Sequence, residues 1–279
     1  MRLEDQAYQV GFVGTQQFVI EDGPLLDWAQ ENGVPPHDAP LEALRKKIIP
    51  LRYLKNFGSF DFTEQIRIGE SKVFICGCGG LGGILIDLMA RSGVGHLRLA
   101  DGDVFVVSNL NRQLLSESRQ LSRQKALVAA ERVRAVNPLI EVEAFQVRVD
   151  EGNISEMIRG VDLVLDALDN LPGRFLLAEA ARRLKIPFIH AAVAGWWGQI
   201  STFLPESASD LKMIYGNRQT RDSAEDSIGV LGPTAAVIGS MEALEALRLL
   251  SGKAPAYADQ LLYFDGESGR MEVMPLQHS

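Results

Sequence analysis

The segment from Lys72 to Lys125 carries the residues whose types and spacing point most directly to chemistry. An apolar run, Lys72 to Cys76, is followed by a glycine cluster and by apolar residues at helical spacing. The glycines are Gly77, Gly79, Gly80, Gly82 and Gly83. Glycine lets the backbone turn tightly and approach phosphate oxygens, and the first free N–H groups of a helix attract an anion. A second apolar run, His96 to Ala100, ends at Asp101, where a carboxylate can accept a ribose hydroxyl. The pattern predicts a site for an adenosine-containing nucleotide.

Polar and basic side chains follow this second run, at Asp103, Asn109, Arg112 and Lys125. The glycine spacing by itself suggests NAD more than ATP, because a dinucleotide site needs little beyond a glycine turn and a helix dipole. Fixed cations favour adenylation, since attack of a carboxylate on the α-phosphorus of ATP builds charge on that phosphate and on the leaving pyrophosphate. Taken alone, the segment is also compatible with a solvated basic turn.

A third group of polar residues stands at the end of the apolar run Val161 to Asp166, where Asp169 and Asn170 follow closely. The carboxyl ends of parallel strands meet in the crevice that binds ligands, and Mg²⁺ on a triphosphate takes one or two carboxylates. Asp169 is therefore the predicted magnesium ligand, and Asp166 is a weaker candidate. The alternative for Asp169 is a cap on the helix that begins near Pro172.

The elements around these residues predict an α/β protein with a Rossmann-like, mostly parallel sheet. The extended segment Gly198 to Leu204 and a closing hairpin after Leu261 predict an antiparallel extension of that sheet. Residues 1–50 predict a short N-terminal appendage, with a hairpin between residues 11 and 20 and a helix over Leu41 to Ile49 that Pro50 ends. The predicted division is an N-terminal extension at 1–50 and a main domain at 51–279.

Composition limits the classes of protein that fit. The chain has 279 residues, of which 46% are apolar and 23% charged, enough to bury a core of its own. No apolar run approaches the roughly 20 residues of a membrane helix, and the first residues do not resemble a signal peptide. The formal charge of -8 argues against nonspecific nucleic-acid binding. We therefore expect a cytoplasmic protein that binds neither membranes nor nucleic acid.

Some polar residues stand in apolar surroundings and are interpreted as structural. The two cysteines, Cys76 and Cys78, lie in the glycine turn, and because no further cysteine or histidine cluster accompanies them, no zinc site is expected. They are interpreted as small packing residues, with a redox or persulfide role as the alternative. His190 lies within an apolar run and is expected in the core. Arg174 is assigned either to phosphates or to a salt bridge.

From Arg52 to Pro275 the chain resembles the ThiF/MoeB/HesA family, the bacterial relatives of ubiquitin-activating enzymes. The ordered matches are Gly77-Cys-Gly-Gly-Leu-Gly82, Asp101-x-Asp103, Ser108-Asn-Leu-x-Arg-Gln113, Lys125, Asn137-Pro138, Asp166-x-x-Asp169-Asn170 and Gly239-Ser-Met-Glu-Ala-Leu-Glu-Ala246. The resemblance implies an ATP- and Mg²⁺-dependent adenylyltransferase that is usually a homodimer. The implied substrate is the C-terminal carboxylate of a small ubiquitin-like (β-grasp) sulfur-carrier protein ending in Gly-Gly.

The resemblance also implies roles for individual residues. The catalytic residues would be Arg112 and Lys125 on the polyphosphate and Asp169 on Mg²⁺. Nucleotide binding would further involve Gly77, Gly79, Gly80, Gly82, Asp101, Asp103, Asn109, Asn170 and Lys55. Lys55 stands in Arg52-Tyr-Leu-Lys-Asn56, which resembles a family motif whose basic residue reaches the triphosphate of the other subunit. A lysine keeps the charge of the usual arginine but loses its bidentate geometry.

The chain departs from the family in its cysteines. Many relatives carry paired Cys-x-x-Cys zinc motifs, which are missing from Leu204 to Asn217 and from the C-terminal segment. Many also have a reactive cysteine before the position of Gly229-Val230, where this chain reads Asp222-Ser-Ala-Glu-Asp-Ser-Ile228. Residues 206–228 are expected to form the crossover loop over the Gly-Gly tail. Without that cysteine, the adenylate is expected to pass directly to a sulfur donor or amine.

Other functions remain open on the sequence. One is adenylation of a peptide or of a tRNA base, the latter disfavoured by the acidic composition. Another is a non-catalytic, regulatory nucleotide-binding module, against which the retention of Arg112, Lys125 and Asp169 argues. A third is NAD-dependent oxidoreduction, which would require NAD to bind better than ATP.

Overall fold

A mixed sheet organises the chain, which is known from a computed structural model that describes residues 2–217 and 228–276. In this part of the chain the sheet has eight strands in the order β11-β10-β9-β8-β7-β4-β5-β6. Their bounds are β4 Lys72–Cys76, β5 His96–Ala100, β6 Glu141–Phe145, β7 Leu163–Asp166, β8 Phe188–Ala194, β9 Trp197–Phe203, β10 Gln260–Asp265 and β11 Arg270–Pro275. Strands β6, β5, β4, β7 and β8 pair in parallel, and β9 to β11 continue antiparallel. The predicted α/β fold is confirmed.

Helices cover both faces of this sheet. They are α3 Phe62–Glu70, α4 Gly80–Ser92, α5 Lys125–Val136, α6 Ile154–Met157, α7 Leu171–Arg183, α8 Lys212–Tyr215 and the long helix Gly232–Ser251, called α9 here. Alternate residues of β4 point to opposite faces: Val73 and Ile75 join the core under α4, α5 and α9, whereas Phe74 and Cys76 join the core under α6 and α7. Burial on both faces explains why the parallel strands read as continuous apolar runs.

The sheet reverses its order between β4 and β7. The chain leaves β4 toward β5 on one side, and β7 lies on the other side of β4. The connections after β4 and β7 therefore run apart and leave a crevice at the carboxyl ends of these strands, as in other doubly wound sheets. The glycine turn follows β4, and residues 167–170 follow β7, so both predicted site segments meet at this crevice.

The N-terminal extension forms a small sheet of its own. Strands β1 (Tyr8–Phe12) and β2 (Thr15–Ile20) form the predicted hairpin, and helices α1 (Asp22–Asn32) and α2 (Ala39–Arg45) follow. The predicted helix over residues 41–49 is wrong at its end, because Ile48–Pro50 is a strand, β3, that pairs in parallel with β2. Lys47, between α2 and β3, takes a left-handed φ of 62°, which ends the helical conformation. The β-branched pair Ile48-Ile49 is then buried in the extension.

Arg52 ties the extension to the main body. Its Nε donates to Asp22 Oδ1 at 2.9 Å, and its Nη1 donates to the carbonyl oxygen of Val136 at 2.9 Å. The division at residues 1–50 and 51–279 remains a prediction, although the small sheet does end at Pro50. In residues 2–217 and 228–276 no helix combines the length and the apolar character needed to cross a membrane.

Glu242 on α9 is buried, and neither of its carboxylate oxygens has a hydrogen-bond partner among the described residues. Burial, reinforced by the nearby charge of Asp166, raises the pKa of Glu242 well above its usual value. The folded state therefore holds this proton more tightly than the unfolded state. Above about pH 4.5, the ordinary pKa of a glutamate, the group lowers the stability progressively as the pH rises.

We expect Glu242→Met to raise the free energy of unfolding by about 1–3 kcal/mol, because it removes an unsatisfied buried polar group. This corresponds to a rise of about 2–10 °C in Tm, larger at pH 8 than at pH 6. Thermal unfolding at the two pH values measures it. Glu245→Gln is the matched control: Glu245 is also buried but accepts from Thr202 Oγ1 and from the N–H groups of Ala256 and Tyr257, so its loss lowers Tm. A Tm of Glu242→Met at or below that of the wild type would contradict the assignment.

Candidate active site

A cleft of about 750 Å³ opens at the carboxyl ends of β4 to β7. Four segments form most of its wall: the glycine turn, the residues after β5, the residues after β6 and the residues after β7. Predicted site residues that line it are Gly77, Gly79, Gly80, Asp101, Asp103, Arg112, Lys125, Asp169 and Asn170. The sequence-predicted residues thus converge on one cavity, apart from Gly82, Asn109 and Lys55.

The glycine turn packs directly against the loop after β7. Gly77 has a φ of 101°, and a Cβ at this position would lie 2.4 Å from the carbonyl oxygen of Ala167. A Cβ at Gly82 would lie 1.8 Å from the carbonyl oxygen of Gly77, so Gly82 lets the helix start against the turn itself. Helix α4 begins at Gly80, and its N-cap residue Gly79 provides no capping side chain. The first N–H groups of α4 are therefore available to an anion in the cleft.

Asp101 supports the turn from the next strand. Its Oδ2 accepts from the N–H of Cys78 at 2.8 Å, and its Oδ1 accepts from the N–H of Asp103 at 2.8 Å. Burial raises the pKa of Asp101, and these two backbone hydrogen bonds oppose the rise. A carboxylate oxygen has more than one lone pair, so both oxygens can accept a further hydrogen bond from a ribose. The ribose role remains a prediction.

Two cations converge on Asp103. Lys125, the first residue of α5, is 8% exposed and places its Nζ 3.6 Å from Asp103 Oδ2. The exposed Arg148 donates from Nη2 to Asp103 Oδ1 at 2.9 Å. The Arg148 hydrogen bond, together with the charges of both cations, lowers the pKa of Asp103. Arg112 also lines the cleft, and its Nη1 donates to the carbonyl oxygen of Ser108 at 2.9 Å.

The structure shows which residue caps α7, one of the two roles that the sequence left open for Asp169. Asn170 caps α7, because its Oδ1 accepts from the N–H of Gly173 at 2.9 Å. Its Nδ2 also donates to Asp169 Oδ1 at 3.2 Å. The capping role thus falls to Asn170, and Asp169 presents its carboxylate at the cleft wall.

Asp166 lies below the cleft and does not line it. It is fully buried, and its Oδ2 lies 2.7 Å from Nδ1 of His190, itself fully buried. The structure therefore removes Asp166 as a candidate magnesium ligand and places His190 in the core. Arg174 is also buried, with its Nε 3.9 Å from Asp166 Oδ2, so it faces this pair and is not part of the cleft wall.

Asn109 and Lys55 lie outside the cleft wall. Asn109 is 6% exposed, and its Oδ1 accepts from the N–H of Val106 at 3.0 Å, so it closes its own turn. Lys55 places its Nζ 5.0 Å from the ring centroid of Phe12 in the N-terminal hairpin. Their predicted contacts with nucleotide, including the contact of Lys55 across subunits, stay predictions.

Sequence reasoning missed the wall formed by residues 147–151, above all Arg148. The signal was present: β6 is parallel to β5 and ends at Phe145, so the residues that follow it must reach the same edge of the sheet. Gln113, the last residue of the motif that begins at Ser108, is not among the predicted site residues, yet it lines the cleft and is buried.

Cys76 and Cys78 are buried, and burial raises the pKa of both thiols well above the usual value. Neutral, inaccessible thiols are poor nucleophiles, which agrees with their interpretation as packing residues. In the stretch 204–217, Leu211 and Ile214 pack into the core under α6 and α7 together with Leu276 of the C-terminal segment. The predicted crossover loop extends into residues 218–227, which lie outside the described residues.

Comparison with known proteins identifies the family. A sequence profile described as the ThiF family matches residues 52–279. The chain belongs to the ThiF family. Among curated relatives it is 35% identical over 213 residues to a SAMP-activating enzyme E1 of Haloferax volcanii, covering 76% of this chain and 78% of that protein. It is 36% identical over 208 residues to a sulfur carrier protein adenylyltransferase of Thermus thermophilus, covering 72% and 77%.

The ThiF-family fold is also seen in solved structures. A structure of the microcin C7 biosynthetic enzyme MccB in complex with N-formylated MccA covers 91% of this chain and 83% of that one, with a TM-score of 0.69 and 18% identity. The chain spans about half the length of curated relatives described as adenylyltransferase and sulfurtransferase MOCS3. Membership of the ThiF family and the similarity to a sulfur carrier protein adenylyltransferase show that the protein is an adenylyltransferase, which uses ATP.

Proposed function

We propose that this protein adenylates the C-terminal carboxylate of a small ubiquitin-like sulfur-carrier protein ending in Gly-Gly, for sulfur transfer in cofactor biosynthesis. The observation that carries the proposal is the position of Lys125 and Asp169, which come from different elements and line one cleft with the glycine turn. The relative described as a sulfur carrier protein adenylyltransferase supports the choice of a sulfur-carrier protein as substrate.

The reaction joins the carboxylate to AMP. A carboxylate oxygen of the carrier attacks the α-phosphorus of ATP, the new C–O–P linkage forms, and the bond from that phosphorus to the bridging oxygen breaks to release pyrophosphate. The carboxylate is already ionised near neutral pH, so no general base is needed. Helix α4 provides N–H groups, and Lys125 and Arg112 provide positive charge, where negative charge builds on the phosphates.

The residues of the cleft fit a magnesium ion. Mg²⁺ prefers oxygen ligands and keeps several waters when it binds a triphosphate through one or two carboxylates. Asp169 offers such a carboxylate at the cleft wall, and Asn170 holds it from the side. Bound there, the ion would neutralise charge on the phosphates. We infer that Asp169 is the ligand from the chain.

The proposal includes a homodimer in which Lys55 of one subunit reaches the nucleotide of the other. The Lys55 ammonium group lies over the Phe12 ring of the N-terminal hairpin and is not in the cleft wall of its own subunit, which agrees with a role in trans. The proposal also includes direct transfer of the acyl group to an outside sulfur donor or amine, because the two cysteines of the chain, Cys76 at the end of β4 and Cys78 in the glycine turn, are both buried.

A second candidate is adenylation of a peptide that does not belong to a β-grasp protein. The sequence left this alternative open. The fold match to MccB in complex with N-formylated MccA covers 91% of the chain, which necessarily includes part of the N-terminal extension. At 18% identity this match concerns the fold alone, so the sulfur-carrier substrate remains the first proposal.

ATP–pyrophosphate exchange by the purified protein tests both candidates. We expect exchange only with a β-grasp protein ending in Gly-Gly, and we expect Asp169→Ala to abolish it. Glu151→Ala is the matched control, because Glu151 is an exposed acid on the same cleft wall. Exchange stimulated by a short peptide and by no carrier would move the assignment to the second candidate. ATP binding without exchange with any partner would contradict the proposed function.

A further inference from the structure

A buried polar network lies beneath the loop that carries Asp169. The backbone of Leu168, the residue before Asp169, is held at both of its polar groups. Its N–H donates to Asp166 Oδ1 at 3.0 Å, and its carbonyl oxygen accepts from Nε of Arg174 at 3.2 Å and also from Nη2 of that residue. Because Asp169 follows directly, the direction of its side chain depends on this clamp.

Asp166 and Arg174, which hold Leu168, are both connected to the hydroxyl of Tyr215, Arg174 directly and Asp166 through His190. Asp166 Oδ2 lies 2.7 Å from His190 Nδ1, and His190 Nε2 lies 3.0 Å from the hydroxyl of Tyr215. Arg174 donates from Nη1 to the same hydroxyl at 3.1 Å. Tyr215, the last residue of α8, therefore contacts both arms of the clamp.

The donors around the hydroxyl indicate which ring nitrogen of His190 accepts a hydrogen bond. Arg174 and Gln199 are donors here, and Gln199 Nε2 lies 2.7 Å from the Tyr215 oxygen. Gln199 Nε2 also lies 3.2 Å from His190 Nε2, so this nitrogen is placed to accept a proton from the hydroxyl or from the amide. The other ring nitrogen then carries the N–H and donates to Asp166. Burial lowers the pKa of His190, in agreement with this neutral ring.

The network is costly to disturb. Asp166 and His190 are fully buried, Arg174 is 4% exposed and Gln199 is 7% exposed. A buried polar group that loses its partner pays a desolvation cost that it cannot recover from water. Removal of the hydroxyl takes one hydrogen bond from Arg174 and one from His190, although Gln199 Nε2 stays 3.2 Å from His190 Nε2. Both arms of the clamp are thereby weakened, and the Leu168–Asp169 peptide is the described segment that they share.

We propose that Tyr215 is a positioning residue that, through Arg174 and the His190–Asp166 pair, sets the orientation of Asp169 toward the metal–nucleotide complex. The inference rests on the proposed role of Asp169 and adds a residue outside the cleft wall to it. Groups that orient a metal ligand from behind change metal affinity by about 10–100-fold when they are removed. The effect should therefore fall on the metal and spare the other binding steps.

Tyr215→Phe tests the inference, because it keeps the ring contacts with Phe175 and His190, whose centroids lie 6.5 Å and 5.5 Å away, and removes only the hydroxyl. We expect the Mg²⁺ concentration for half-maximal exchange to rise on the order of tenfold, with the KM for the carrier unchanged. Hydrogen–deuterium exchange without nucleotide gives a readout independent of activity, and we expect the amide of Leu168 to exchange faster.

Tyr53→Phe is the matched control. Its hydroxyl is also buried and accepts from Asn137 Nδ2 at 2.8 Å, but Tyr53 does not line the cleft. We expect Tyr53→Phe to lower Tm without changing the Mg²⁺ requirement or the exchange of Leu168. If the wild type catalyses exchange and Tyr215→Phe has the same Mg²⁺ requirement, the inference about Tyr215 is overturned and the proposed function is not affected. Absence of exchange in the wild type would count against the proposed function, and the amide measurement then still decides whether Tyr215 holds the loop.

Discussion

Replacement of Lys125 by methionine is expected to lower the maximal rate of ATP–pyrophosphate exchange on the order of 10²–10³-fold. The side chain is almost fully buried at the start of α5, with its Nζ 3.6 Å from Asp103. In such a place a fixed charge is weakly screened, so it stabilises the charge that develops on the phosphates far more than a solvated lysine would. Methionine keeps much of the length and the burial and removes only the charge.

The matched control is Arg148→Ala. Arg148 binds the same carboxylate, Asp103, at 2.9 Å, but its side chain is 84% exposed. Water and salt screen an exposed cation, so we expect a loss of less than about tenfold, seen mainly in the KM for ATP. Steady-state exchange with varied ATP separates the two effects. If Lys125→Met kept a rate within a few-fold of the wild type, Lys125 would have no role in the chemical step.

The parts of the site that follow from local chain geometry were predictable from the sequence. A glycine turn between a buried strand and a helix can adopt few conformations, and its position at the crevice follows from the parallel topology. For that reason Gly77, Asp101 and Asp169 lie where the sequence places them, around one cleft. The same logic, applied to the strand that ends at Phe145, would have found Arg148.

The burial of a polar side chain and the identity of its hydrogen-bond partners were harder to predict, because both depend on contacts between distant segments. Asp166 and Asp169 both follow the same apolar run, yet one is fully buried against His190 and the other lines the cleft. The pairing of β8 with β7 places His190 beside Asp166, a contact between segments that are distant in the sequence. Likewise the apolar residues before Pro50 suit a helix by spacing, and pairing with the hairpin strand β2 makes them a strand instead.

Dual roles were also invisible in the sequence. Asp101 was predicted as an acceptor for ribose, and the structure shows that both of its oxygens already accept from the N–H groups of Cys78 and Asp103. Tyr215 stands in the predicted crossover loop, and its hydroxyl contacts three buried side chains beneath the cleft. Such roles require distances across the fold, which no spacing rule supplies.

The second large effect is expected from Gly82→Ala, which should lower the affinity for ATP about 10–150-fold, because a hydrogen bond to a charged group contributes about 1.5–3 kcal/mol and each 1.4 kcal/mol is about tenfold in affinity. The added Cβ would lie 1.8 Å from the carbonyl oxygen of Gly77 and 3.3 Å from the Cβ of Ala167. Backbone cannot move aside as a flexible side chain does. Helix α4 must therefore shift away from the glycine turn. Its first N–H groups then no longer point at the place in the cleft where we expect the phosphates to bind.

Gly95→Ala separates this local effect from a general loss of stability. A Cβ at Gly95 would also lie 1.8 Å from a backbone carbonyl oxygen, that of Gly69, but Gly95 precedes β5 at the edge of the sheet opposite the cleft. Both variants should lose more than about 1 kcal/mol of stability. Calorimetric titration with ATP, at a temperature where both remain folded by circular dichroism, should show the loss of affinity only in Gly82→Ala. Equal ATP affinity in the two variants would mean that the start of α4 does not bind the nucleotide.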